Sequence, residues 1–310
     1  MTDTSQKLIN TNTRKITLEW TYHRILNERY KVTPLRTLLK ENWWLTKKQI
    51  HFLRINHNVL VNGNYVPINN LVRPGDRIEL KFDSQTIDTP IPPFLADDSV
   101  KLDIIFEMND FLVVNKPAGY KTHSNQPGEL NSIMNFLTSY LDPVIPYNVH
   151  RLDQATSGAL LVAKNPVVLP ILNQQISKKI IKRSYLALVE GGLTQTSGTI
   201  DFPIGIDPKD QRKRKIGGPH SLSAITHYQV LSSTNNRSLV QLDLETGRTH
   251  QIRLHLAAIG HPIIGDPLYS NIKSEHMLLH SWKIKVPIPF TLDCIQLSAG
   301  LPQYFKSHIK

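Results

Sequence analysis

The sequence predicts a globular protein of two domains, and three observations lead there. At 310 residues the chain is longer than one compact core usually takes. Its 40% hydrophobic and 20% charged residues make a globular composition. Residues 83–99 read DSQTIDTPIPPFLADDS, with prolines at 90, 92 and 93. Proline fixes an extended chain and removes backbone donors, so this stretch reads as a linker. Domains are expected at 1–83 and 100–310, joined by 84–99.

The elements of the first domain follow in order. Thr33-Pro34 is a helix start, with Leu35, Leu38 and Leu39 on one face. Thr46 starts a second helix through Ile50, Leu53 and Ile55, interleaved with Lys47, Lys48 and Arg54. Asn62-Gly63 then turns a hairpin between Val59, Leu60 and Val61 and the pair Tyr65 and Val66. RPGD at 73–76 makes another turn before the alternating strand RIELK at 77–81.

In the second domain Phe111, Leu112, Val113 and Val114 form a buried type of strand, ended by NKPAG at 115–119. HRLD at 150–153 and TSG at 156–158 lead into a run apolar on both faces, 159–163. The helix expected after Asn165-Pro166 is kinked or delayed by Pro170. Lys209, Arg212, Lys213, Arg214 and Lys215 lie in a Gly- and Pro-containing stretch that reads as a mobile loop. TGR at 246–248 is a turn. Thr249 then caps a helix with Ile252, Leu256 and Ile259 on one face and Gly260 at its stop. His250, Arg253 and Ala257 share an adjacent face.

Charge narrows the partner. Thirty-six Lys and Arg against 25 Asp and Glu leave a net +11, which points to a polyanion, either nucleic acid or an anionic membrane. Residues 1–90 carry 14 of the cations and 8 of the anions, so over half of the surplus sits in under a third of the chain. Between Arg24 and Arg54 there are eight basic and two acidic residues. They suit either a solvated helix face or a surface that tracks phosphates. No apolar stretch reaches the roughly 20 residues of a membrane span, and the polar start lacks a secretory signal's apolar segment. The one cysteine, Cys294, forms no internal disulfide and holds no zinc alone, which argues for a reducing, cytoplasmic setting. A monomer is the default expectation.

No phosphate loop, dinucleotide fingerprint, zinc-protease or nucleophile-elbow motif occurs, and the 13 histidines are scattered. No metal and no cofactor are expected, so any chemistry runs on side chains. Asp153 reads either as a turn acceptor before a buried strand or as a catalytic carboxylate. Arg253, between Ile252 and Leu254, is either a surface arginine or a buried one that needs a carboxylate. His255 reads as a packed or solvated histidine.

Together these segments resemble known families. Residues 33–82, with VLVNG and VRPGDRIEL, are similar to the small alpha-L RNA-binding fold. Over residues 100–290, NKPAG, HRLD..TSG.LL.AK, RSYLALVEG, TGRTHQIR.HL...GHPI.GD..Y and LLH, in that order, resemble the RluA-type pseudouridine synthases. That resemblance implies an α+β protein, its catalytic domain built on a mixed, mainly antiparallel sheet flanked by helices. It also implies cofactor-free isomerisation of uridine to pseudouridine in structured RNA, 23S ribosomal RNA first and transfer RNA as the alternative.

By position, the resemblance makes Asp153 the essential aspartate, which attacks the sugar or the uracil or assists elimination. A carboxylate ionised away from water needs a cation at contact distance, and Arg253 matches the family arginine that pairs with it. Tyr185 matches the tyrosine packed on the uracil, although YLALVE alone suits a core strand equally well. Ile252 and Leu279 are expected as apolar walls. A base inside a helix is out of reach and must flip, and Arg151 is the candidate to fill the gap. Arg248, His250, Lys178, Lys179, Lys182, Arg183 and the 209–215 cations are expected at the RNA, as are Lys47, Lys48 and Arg54 in the first domain. The chain departs from the family at Ser124, where proline is common, and at Ile206, where an arginine is usual. The rival reading is a non-catalytic RNA-binding or ribosome-assembly protein; the intact Asp153, Tyr185 and Arg253 set disfavours it.

Overall fold

The computed structural model describes residues 3–10, 16–84, 87, 92 and 94–309, so seven of the sixteen residues of the expected linker lie outside the described residues. Two sheets organise the chain. The smaller is antiparallel, in the order Asp3–Asn10, Ile16–Ile25, Arg77–Asp83, Val59–Val61, Asn64–Tyr65. Its turn residues Asn62 and Gly63 both have positive φ, 52° and 84°, as a tight two-residue hairpin demands. Ile16–Ile25 was not foreseen as a strand.

The two helical segments of this unit start where the sequence places them. The first is one α-turn, Leu35–Thr37, that widens into a π-helical turn at Leu38–Asn42. The second, Lys47–Ile55, is held by a full capping box: the Gln49 backbone amide donates to the Thr46 hydroxyl, and the Gln49 side-chain oxygen accepts from the Thr46 amide.

The larger sheet has ten strands among the described residues. Its main order is Ser197–Asp201, Ile225–Ser233, Arg237–Leu244, Lys182–Glu190, Leu279–Pro287, Ser157–Ala163, Phe111–Lys116, Asp103–Glu107. The described pairings are antiparallel except that of Ser157 and Gly158 with His280 and Ser281. Gly158 is required there. At φ +108°, a β-carbon on it would sit 2.2 Å from the Ser281 carbonyl oxygen, so only glycine lets these two strands meet. All seven residues of Ser157–Ala163 are buried, as a run apolar on both faces predicts. Pro170 falls in the first turn of Val168–Ser177, where no intrahelical donor is lost.

The two sheets share a core. Tyr22 and Trp43 of the small unit pack on Phe290 of the large one, with ring centroids 4.2 and 5.9 Å apart. The Tyr22 hydroxyl donates to Asp110 at 3.1 Å, and the Gln49 side-chain amide donates to the Val167 carbonyl at 2.8 Å. Among the described residues no helix is long and apolar enough to cross a membrane.

Two local expectations need correction. The 209–215 stretch is not a free loop: Ile204–Ile206 and Arg214–Ile216 pair as a small hairpin, and the Arg214 amide donates to the Tyr269 hydroxyl at 2.7 Å. The helix at 251 is capped by His250 rather than Thr249. The Gln251 side-chain oxygen accepts the Arg248 amide and the Thr246 hydroxyl, which folds the turn back and moves the helix start one residue further along. His250 thereby adopts a left-handed backbone, φ 59°.

Candidate active site

The chain between His150 and Ser157 makes a sharp turn ahead of the buried strand, closed by the Thr156 amide on the Asp153 carbonyl at 3.0 Å. NKPAG, ordinary as a sequence, holds this turn from behind. Gly119 N–H donates to the Gln154 carbonyl, and the Gln154 side chain returns a bond to the Gly119 carbonyl, both at 2.8 Å. The Thr122 hydroxyl clamps Leu152 on both its backbone groups. Lys116 is fully buried, and its Nζ donates to the carbonyls of Pro117, Tyr120 and Gln154 at 2.9, 2.7 and 3.1 Å. Burial pushes its pKa down to about 7, and Asp153 opposes that. Three carbonyl acceptors are satisfied together only by the ammonium, so the charged form is the one this geometry holds.

Asp153, about a quarter exposed, points into solvent-accessible space beside Arg253. Arg253 is 4% exposed and does need a carboxylate; it has two. Its Nη1 reaches Asp153 Oδ2 at 2.9 Å, while Nε and Nη2 make a fork onto Asp266 at 2.7 and 2.8 Å. The amides of Leu268 and Tyr269 donate to Asp266 in turn. Asp266 was missed in the sequence. Its only signal was the GD..Y segment, and the 13-residue separation from Arg253 has no periodic meaning.

His250 Nε2 lies 3.8 Å from Asp153, and its Nδ1 is 3.1 Å from the Tyr269 hydroxyl. Burial lowers its pKa, against the charge of Asp153. Tyr185, Ile252 and Leu279 come together, three buried side chains lining a slot of about 90 Å³ that also touches Arg151, Asp153 and Arg253. A wider cleft of about 710 Å³ opens on the other side of Asp153, walled by Arg151, His123, Arg212 and His276.

The structure therefore gathers Asp153, Tyr185, Arg253, Arg151, Ile252, Leu279, Arg183, Arg248 and His250 around one carboxylate. It does not bring in Lys178 and Lys182, which are exposed and line none of the cavities around Asp153. Lys47 and Arg54 line a separate groove of about 480 Å³ with Arg36, Lys40 and His51, and Lys48 is exposed. His255 is a core histidine bonded to Thr226 and the Phe202 carbonyl. Among the described residues no group of three His, Cys, Asp or Glu gathers as a metal site. A small slot lined by apolar side chains and one carboxylate, the carboxylate's charge steadied by a buried arginine, suits nucleophilic attack on a ring or sugar carbon or electrostatic stabilisation of positive charge there.

Residues 110–258 match the RNA pseudouridylate synthase family, and residues 22–78 match the N-terminal domain of the RluD ribosomal pseudouridine synthase. The chain is 38% identical over 272 residues to an uncharacterized RNA pseudouridine synthase of Bacillus subtilis, YhcT, covering 85% of each. It is 34% identical to the ribosomal large subunit pseudouridine synthase D of Nitrosomonas europaea, over 66% of this chain and 63% of that one. The solved structure of human RNA pseudouridylate synthase domain containing 1 is similar with a TM-score of 0.55 at 26% identity, over 67% of this chain and 93% of that chain. The fold and these matches together define an RNA pseudouridine synthase. The chain belongs to the RluA-type family of these isomerases.

Proposed function

We propose that the chain isomerises a specific uridine of 23S ribosomal RNA, with transfer RNA as the alternative substrate, in the cytoplasm. The observation that carries this reading is the Asp153–Arg253 pair lining the slot formed by Tyr185, Ile252 and Leu279. The match of residues 22–78 to an RluD N-terminal domain supports the ribosomal choice.

In the reaction the bond between N1 and the sugar breaks, the uracil turns, and a bond forms between C5 and the same sugar carbon. C5 then loses a proton and N1 regains one, so nothing is oxidised and no group is transferred to another molecule. Asp153 is the carboxylate that starts these steps, by attack on the anomeric carbon, by attack on the ring or by assisting elimination. Arg253 keeps it ionised and aimed. Tyr185 lies along the base, its hydroxyl a candidate to take the C5 proton. Arg151, exposed at the rim of both cavities, fills the place that the flipped base leaves. Lys47, Lys48 and Arg54, with Lys178 and Lys182, contact phosphates outside the site.

The test is pseudouridine mapping of total RNA with and without the gene. One ribosomal uridine that loses its modification, and regains it with the wild-type chain, is the expected result. A changed site in transfer RNA alone would move the assignment, and an unchanged map would remove it.

A further inference from the structure

A third cavity at Asp153, a chamber of about 510 Å³, shares part of its wall with the slot. The two share Arg151, Asp153, Arg183, Gly247 and Arg248; the chamber adds His150, Lys179 and Glu245. Its acids are already met. Glu245 pairs with Lys179 at 3.2 Å and His227 at 2.7 Å, and Asp153 with Arg253. Arg151 and Arg183 have no carboxylate partner among the described residues, and Arg248 gives its Nε to the Ser223 carbonyl. Arg183 lies over Gly247, its Nη2 3.4 Å from where a β-carbon would stand, and both residues line the chamber.

His150 adds a neutral donor. Its Nε2 accepts the Leu161 amide at 3.0 Å, so the ring proton sits on Nδ1. That Nδ1 is buried and makes no well-formed hydrogen bond; the adjoining Arg151 backbone is near it, outside good geometry. Burial, and then Arg183, pushes the His150 pKa down to about 3, so the ring stays a fixed, uncharged donor at neutral pH. A buried donor left unpaired is costly unless an incoming ligand takes it.

The geometry points to a seat for one phosphate of the RNA backbone in this chamber, bound by Arg183 and Arg248 and by the Nδ1–H of His150. Planar arginine forks match phosphate oxygens two at a time, and the chamber adjoins the base slot, where the phosphate of the flipped nucleotide or its neighbour must pass. The choice of RNA as the source rests on the isomerase reading; the anion seat itself does not.

The test follows the imidazole signals of the full chain, labelled with ¹⁵N-histidine, during titration with inorganic phosphate, with uridylyl-uridine and with uridine. Phosphate and the dinucleotide are expected to move the His150 Nδ1–H signal saturably, and uridine is not. Arg183→Gln, at a half-buried position, should keep the fold and weaken both phosphate-bearing ligands about tenfold, the loss of one charge-assisted contact. A His150 signal indifferent to phosphate and dinucleotide would overturn the seat. Movement with phosphate alone would overturn RNA as its occupant. Turnover is not read, so a chain that isomerises uridine with an indifferent His150 loses the seat and keeps the enzyme. One that binds phosphate here without isomerising loses the enzyme and keeps the seat.

Discussion

Asp266 holds Arg253 by a two-bond fork at 2.7 and 2.8 Å, and this leaves one guanidinium nitrogen to reach Asp153 at 2.9 Å. One buried cation is thus divided between a fully buried carboxylate that aims it and a partly exposed one that it serves. A lysine in its place has no fork to divide.

Asp153→Asn keeps the shape of the turn and removes the charge. Single-turnover formation of pseudouridine should vanish, with RNA affinity changed little. Near-normal tritium release from RNA carrying 5-tritiated uridine would take the catalytic role from Asp153.

Asp266→Asn tests aim rather than chemistry. The amide keeps the volume but breaks one limb of the fork and leaves a buried guanidinium short of charge, a loss of about 3–5 kcal/mol where a buried pair is broken. Turnover should drop, RNA affinity should hold, and urea midpoints should fall. A variant with the wild-type rate would leave Asp266 a purely structural residue.

How much of this was legible in the sequence differs from element to element. Local signals worked where they are physically local: the helix start at Thr46, the Asn62-Gly63 hairpin and the apolar 159–163 strand each stand where expected. The strand Ile16–Ile25 carried a period-two signal, with Trp20 and Tyr22 buried together with Arg24, but polar residues between them masked it. Resemblance supplied Asp153, Tyr185 and Arg253, which no periodicity singles out. Lys116 and Asp266 stayed hidden because their meaning is three-dimensional. Lys116 gains three carbonyls from two separate loops, and Asp266 meets Arg253 only once the helix at 251 packs on the turn after Gly265.

If the basic groove of the small unit meets phosphate, RNA affinity should carry its salt signature. Deleting that unit would strip the Tyr22, Trp43 and Phe290 core, so point changes are the cleaner probe. Replacing Arg36, Lys47 and Arg54 by Gln should make the log-affinity against log-salt slope shallower by roughly 0.7–0.9 per lost phosphate contact. An unchanged slope, measured by filter binding to ribosomal RNA, would mean the groove does not meet phosphate.

Tyr185→Phe separates stacking from proton transfer. The ring stays in the slot beside Ile252 and Leu279, and only the hydroxyl is lost. If the hydroxyl takes the C5 proton, turnover should fall by about 10²–10⁴-fold at unchanged RNA affinity. A phenylalanine variant at the wild-type rate, with Tyr185→Ala inactive, would make the residue a platform alone.

Acid should destabilise this protein through its buried histidines before its carboxylates titrate. His150 accepts the Leu161 amide, and His280 accepts the Ser157 hydroxyl while donating to the Ala299 carbonyl, so both are held neutral. Burial is the first cause in each, lowering His150 from the ordinary 6.5 to about 3 and His280 to about 4. Below pH 6.5 the unfolded chain binds protons at both positions and the folded chain does not, so stability falls as pH falls. Each histidine contributes a slope approaching about 1.4 kcal/mol per pH unit, and the two together should cost about 4 kcal/mol between about pH 7 and about pH 5. Urea unfolding at the two pH values measures this. His280→Asn, which retains polar contacts but does not titrate, should roughly halve the difference. Equal stability of the wild-type chain at both pH values would show that the rings accept protons without leaving the fold.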